Sequence, residues 1–212
     1  MGRLPILVIV GALVLAGCSD DDEGPSTIRA RTLSDQGADG DIGFSPSPPP
    51  DGTYTISQAD ATGSLLFGID SEGTEFRAFL DFPLDGSNGG EPVPLWAEIV
   101  SADIKVLVNN VELASAVPTL LDLVPFPITG LTPTDFDSLP LATLGPFDFF
   151  RSDIQNFVRI DVTPLMAETQ AKGLRDLQLR LLLDFVPEAA GWVQLEDGED
   201  STAPLLTVEY RL

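Results

Sequence analysis

The chain has 212 residues, with 11 basic against 33 acidic side chains and a formal net charge of −22. It holds no histidine and one cysteine, which excludes Ser-His-Asp and Cys-His catalysis, histidine-ligated metal sites and an internal disulfide. A chain this acidic is repelled by nucleic acid and by anionic headgroups, and its charge suits cations, basic partners or plain solvation.

Met1 and Arg3 open the chain with positive charge, Leu4 to Ala16 carry none, and Ala16 and Gly17 are small. That is the three-part pattern of an export leader ending at residue 17. The apolar run is shorter than the ~20 residues of a membrane span. The tetrad Leu15-Ala16-Gly17-Cys18 resembles the lipobox of bacterial lipoproteins. The resemblance implies cleavage before Cys18 and diacylation of its thiol, so the partner at this end is a membrane, reached through lipid. One acyl chain binds a bilayer only marginally, at about 0.8 kcal/mol per buried methylene, whereas two or three hold it. Ser19, not an aspartate, follows the cysteine, which favours the outer membrane in a cell that has one. The competing reading is an ordinary signal peptide with an incidental cysteine. A lone thiol in an oxidising compartment argues against it.

Residues 18–52 read as an acidic, Pro-rich tether. "SDDDEGPS" and "DIGFSPSPPPDG" offer little apolar surface to offset the entropy of ordering, so this stretch is expected to be disordered. Within it, "IRARTL" (28–33) is a short strand or turn.

From Thr53 to Leu212 the texture is that of a β domain. "TYTISQ" and "GSLLFGID" are short runs bounded by Asp and Gly. In "EFRAFLDF", Phe76, Ala78, Leu80 and Phe82 share one face, and Arg77, Phe79 and Asp81 the other. "LDGSNGGEPVP" is a loop. "AEIVSADIKVLVNN" alternates through Ile104, Val106 and Val108, and Asn109-Asn110 suggests a turn with "VELASAV" returning. Residues 118–150, with six prolines among leucines and phenylalanines, read as a long loop or insertion, too apolar to be a free linker. "FVRIDV" is a strand. Thr163 is then an N-cap, Pro164 the first helical residue, and Gly173 closes a short helix. "LRDLQLRLLLDF" places Leu177, Leu179, Leu181, Leu183 and Phe185 on one face. "WVQLED" and "PLLTVEYRL" complete the set.

Eight to ten short strands, one helix and no βαβ alternation predict an all-β fold, an antiparallel sandwich. The ordered phrases "FRAFLDFPL", "IVSADIKVLV", "VRIDVTPLM", "GLRDLQLRLL", "WVQLED" and "APLLTVEY" resemble the DNRLRE-type extracellular domain, related to TGF-β-propeptide-like carbohydrate-binding modules. The resemblance covers about Thr53 to Leu212. It implies a jelly-roll-like β-sandwich that is usually non-catalytic and in some members binds polysaccharide. The chain departs from the family at "VQLEDGED", where Glu196 matches loosely, and in residues 118–150.

A glycan binder stacks sugar CH faces on aromatic rings and bonds the hydroxyls with polar groups. The candidates are Trp192, Trp96, Tyr54 and Tyr210, Trp192 first because it begins a strand beside a loop. Each is alternatively a core or edge residue. For calcium, "LEDGED" offers Glu196, Asp197, Glu199 and Asp200, and "TDFDS" offers Asp135 and Asp137, all hard oxygen donors. A solvated acidic loop is the plainer reading. Asp161 is expected to bond backbone at the strand-to-helix turn. Paired carboxylates could serve a glycoside hydrolase, but nothing singles out a pair. Three functions stand at this level: a lipid-anchored glycan binder of the cell envelope, a structural or protein-interaction lipoprotein, and, least favoured, a carboxylate-dependent hydrolase.

Overall fold

The computed structural model describes residues 26–47, 49, 51–58, 63–184, 190–198 and 201–212. The leader, Cys18 and the first part of the expected tether lie outside the described residues. The strands are β1 (Ile28–Leu33), β2 (Gly40–Ser45), β3 (Thr53–Gln58), β4 (Ser64–Ile69), β5 (Glu75–Pro83), β6 (Glu98–Glu112), β7 (Ala116–Leu123), β8 (Ala142–Phe150), β9 (Phe157–Asp161), β10 (Asp176–Leu183), β11 (Gly191–Glu196) and β12 (Leu205–Arg211), with one helix, α1 (Thr163–Ala171). The fold is all-β and antiparallel. Its sheet runs β1-β12-β6-β11-β4-β5-β10-β7-β8 and curls like half a barrel. Strand β9 adds to β6, β2 adds to β5, and β3 to β2.

Strand β6 organises one wall. Strands β12 and β11 pair with successive stretches of it, Glu98–Lys105 and Val108–Glu112, while β9 pairs with residues 103–107. Strands β11 and β12 are therefore collinear along β6. Strand β5 organises the other wall, with β2 and β10 both paired to Ala78 and Phe79. The walls face each other across one core, because period-2 patterns put the apolar side chains of each strand on one face. Ile104, Val106 and Val108 of β6, Leu206 and Val208 of β12, Leu80 and Phe82 of β5, and Leu177, Leu179 and Leu181 of β10 all enter it. Each such side chain contributes about 1.5–3 kcal/mol when fully buried.

Residues 118–150 are not one long loop. Their two ends are strand, β7 and β8, paired to each other, and only residues 124–141 leave the sheet. That segment lies over the outer face of the β5 wall. There Val124, Phe126, Leu131 and Phe136 cover Ile42 and Phe79 in a second apolar cluster. Phe79, which alternation places on a polar face, is thereby wholly buried. The covering segment explains why β5 and β10 are apolar or buried on both faces.

The stretch expected as tether also contains two strands. Strand β1 pairs with β12 from Ile28↔Tyr210 to Leu33↔Leu205, and β2 lies between β3 and β5. A polar sequence is ordered here because the neighbouring strands supply the ladder and the cover. The turn expected at Asn109-Asn110 lies further on. Strand β6 runs through both asparagines, whose backbone region pairs with β11, and turns at Leu113, where φ is +64°. Helix α1 forms where expected but starts one residue early: Val162 is the N-cap, Thr163 the first helical residue and Pro164 the second, because the Thr163 hydroxyl is taken up outside the helix. Asp161 Oδ1 accepts from the Thr163 N–H and hydroxyl at 2.9 and 2.6 Å, and Gly173 follows the helix at φ +65°. Among the described residues no helix is long and apolar enough to cross a membrane.

Candidate functional site

The loop between β5 and β6 is pinned at three points and bare at its tip. Leu84, Val93 and Ala97 are buried in the core. The Leu84 N–H donates to the Arg175 carbonyl at 2.9 Å, and the Val93 N–H to the Leu84 carbonyl at 2.8 Å. The Ala97 N–H closes a turn onto the Pro94 carbonyl at 3.0 Å. That turn pushes Leu95 and Trp96 outward, and Trp96 is 79% exposed. The indole borders a groove of about 340 Å³ whose floor is Leu84, Val93 and Pro94 and whose charged rim is Asp85 and Arg175. Prolines 92 and 94 stiffen the wall that carries the indole.

Carboxylates surround Arg175. Hydrogen bonds from Ser87 hold the Asp85 carboxyl below its ordinary range, and the Arg175 charge adds to that. Asp176 is pushed up, first by burial and then by Asp85. Behind them Asp81 is pushed up to about 7, chiefly by burial, with Asp176, Asp35 and Asp85 adding their repulsion.

The sequence candidates do not converge. Trp96 stands two residues before the start of β6, whereas Trp192 pairs with Glu112 at its other end. Trp192 is half-buried on β11 against Gly68. Tyr54 is engaged with Phe44 at 4.8 Å and Phe136 at 5.6 Å, so its ring is part of a packed aromatic cluster. Tyr210 is buried in the core. Trp96 alone of these combines high exposure with a groove. Sequence placed Trp192 first because it begins a strand beside a loop; the difference between the two tryptophans is set by what covers each.

The acidic candidates also separate. Glu196 Oε2 accepts from Asn109 Nδ2 at 2.5 Å. Asp197, the next residue, is buried. Glu199 and Asp200 lie outside the described residues. Asp135 caps its own turn, its Oδ2 accepting from the Thr132 N–H at 2.7 Å, and Asp137 pairs with Arg77 at 3.0 Å. Among the described residues no group of three or more acidic, histidine or cysteine side chains is placed to hold a metal ion. The residue that sequence reading missed is Asp39, which lies in the supposed tether and is wholly buried beside Asp197.

No protein-family model matches the chain, and no curated protein matches its sequence.

Proposed function

We propose that this chain is a lipid-anchored protein of the cell envelope whose non-catalytic, jelly-roll-like β-sandwich binds polysaccharide at the Trp96 groove. The observation that carries the reading is the exposed indole beside a small groove with charged groups on its rim. A pyranose stacks its CH face on such a ring, and its hydroxyls bond to a carboxylate and a guanidinium, here Asp85 and Arg175. The jelly-roll reading is supported by antiparallel strand groups that share one core, and by the ordered phrases they carry.

The leader and Cys18 supply the anchor, with the outer membrane favoured. Strand β1 begins at Ile28, so residues 19–27 connect it to the lipid. Fully extended they reach at most ~30 Å. Ile28 pairs with Tyr210, which pairs with Ile99, three residues after Trp96. Trp96 therefore lies toward the end of β1 that leads to the lipid.

The half-exposed Leu95 beside Trp96 favours a second reading, a protein partner docked on the same tip. One experiment separates the two. The chain is screened against a polysaccharide panel by Trp fluorescence and calorimetry, with Trp96→Ala and Trp192→Ala variants. Trp96→Ala leaves the fold intact because the ring is exposed, and it weakens glycan binding by ~1–3 kcal/mol, about 5- to 150-fold, as loss of one aromatic platform does. Binding that survives Trp96→Ala moves the site. No binding to any polysaccharide refutes the glycan reading and leaves the protein partner.

A further inference from the structure

Strands β8 and β9 are both sheet edges, and residues 151–156 join them. Among the described residues β8 pairs with β7 alone and β9 with β6 alone. A groove of about 510 Å³ lies between the two strands. Leu144 and Phe147 of β8 and Val158 of β9 give it an apolar lining that packs on the core. Asp148, Arg159 and Asp161 stand at its rim.

The ladder to β6 decides which backbone groups of β9 face outward. The Val162 N–H donates to the Ala102 carbonyl at 2.9 Å, and the Val108 N–H donates to the Asn156 carbonyl at 3.1 Å. The register between these two bonds is unbroken, from Asp103↔Asp161 to Leu107↔Phe157. In an antiparallel pair, bonded and non-bonded positions alternate. Val158 and Ile160 therefore bond to β6, while the backbone groups of Phe157, Arg159 and Asp161 point away from it. Folded proteins blunt such a row with proline, a bulge or a covering loop. Strand β1 is covered by the loop before β6, whose Glu91 N–H donates to the Arg31 carbonyl at 3.0 Å. Strand β8 is broken at Gly145-Pro146, beside a shift in register. Strand β9 contains no proline and no register shift.

Charge selects the occupant. Arg159 Nη1 is held by Asp103 Oδ1 at 2.6 Å, which neutralises the cation of the rim. Asp161 is bonded by the Thr163 hydroxyl, a contact that favours its ionised form. Asp148 makes no ion pair among the described residues. Two carboxylates are left at the rim of a chain whose net charge is −22, and such a field draws a cationic partner.

We propose that an extended peptide of alternating basic and apolar residues, from a partner protein, adds to β9 as a further strand. Its backbone pairs with the outward groups of Phe157, Arg159 and Asp161. Its apolar side chains lie over Val158 and Phe147, and its basic ones meet Asp148 and Asp161. Main-chain bonds give such a complex its affinity, and the alternation of side chains gives it selectivity. This surface shares no residue with the Trp96 groove, so it stands independently of the glycan reading.

The full-length chain in neutral detergent is titrated by calorimetry with the peptide acetyl-Val-Lys-Val-Lys-Val-Lys-amide. The same peptide with Glu in place of Lys is one control. The Lys peptide methylated at every second backbone nitrogen, in each of the two phases, is the other. The Lys peptide binds, less tightly as ionic strength rises, and the Glu peptide does not. Alternation pins which edge of the peptide meets β9, so one methylated phase binds at least ~10-fold more weakly than the other. Arg159→Pro removes an outward N–H and leaves the β6 ladder whole. It binds about 2- to 10-fold more weakly than Arg159→Ala, which keeps that N–H. Asp148→Asn weakens binding about 2- to 5-fold. Equal binding of the two methylated phases reduces the attraction to charge alone and overturns the proposal. So does a Lys peptide that fails to bind, or a Glu peptide that binds as well. If Arg159→Pro fails to fold, the methylated pair still decides.

Discussion

Replacing Arg180 with methionine should cost this fold about 3–5 kcal/mol. Arg180 and Asp122 are 3% and 5% exposed at the side chain, with Nη2 and Oδ2 2.6 Å apart. The guanidinium also donates to the carbonyls of Asp135 and Phe136 at 3.1 and 2.7 Å. It thus fastens residues 124–141 over the β5 wall while neutralising Asp122. Methionine keeps the length and the apolar stem, so packing changes little. What is lost is the charge, leaving Asp122 buried with only the Thr143 hydroxyl, at 2.6 Å. Removing one partner of a buried ion pair costs about 3–5 kcal/mol, whereas exchanging both for apolar residues is often neutral. Against a total stability of ~5–15 kcal/mol, the single change is a large fraction. At ~2–4 °C per kcal/mol for a chain of this size, Tm falls by about 6–20 °C. Urea unfolding of Arg180→Met, Asp122→Leu and the double variant measures it as a double-mutant cycle. A single-variant cost under about 1 kcal/mol, or a double variant less stable than both singles, refutes this account of how the segment is held.

Gly68→Ala should break the junction of β4 and β11. Its φ is +109°, and a Cβ there overlaps the Gly191 carbonyl oxygen and stands 2.7 Å from Trp192 Cα. Strain and overpacking together cost about 2–5 kcal/mol; an unchanged urea midpoint contradicts that. At α1, hydrogen bonds from the Thr163 hydroxyl and N–H hold Asp161 below its ordinary value of 3.8. A lowered folded pKa gives stability that is present at neutral pH and lost as pH falls through it. Asp161→Asn is therefore less stable than wild type at neutral pH, and the gap closes as acidification carries the solution through the lowered folded pKa. A gap in Tm that acidification leaves unchanged counts against the bond. At the other end, Cys18→Ser should abolish acylation, seen by mass, and release the chain from the membrane fraction. Continued membrane retention excludes the lipid anchor.

The local rhythm of this sequence carries most of its strands. In β5, β6, β9, β10 and β12 every second residue is apolar over five or more positions, a property of the strand alone that needs no partner to be read. The helix was equally legible, since Pro164 and Gly173 act within one turn of the backbone. Strands β2, β7 and β8 were not. Their sequences carry glycine, proline and acid; β2 is a strand because β3 and β5 offer it ladders, β7 because β10 does, and β8 because β7 does. Strand order, the covering of Phe79 by residues 124–141, and the burial of Asp39 beside Asp197 depend on residues up to 182 positions apart, as Ile28 and Tyr210 are. Local chemistry cannot report them. The same holds for the two tryptophans: both were visible as aromatic residues beside strands, and only the packing of Leu84, Val93 and Ala97 beneath its loop decided that Trp96 would face water. The anchor motif lies wholly in consecutive residues, so the sequence by itself determined it. The groove beside Trp96 is made of side chains that meet only when the sheet has curled.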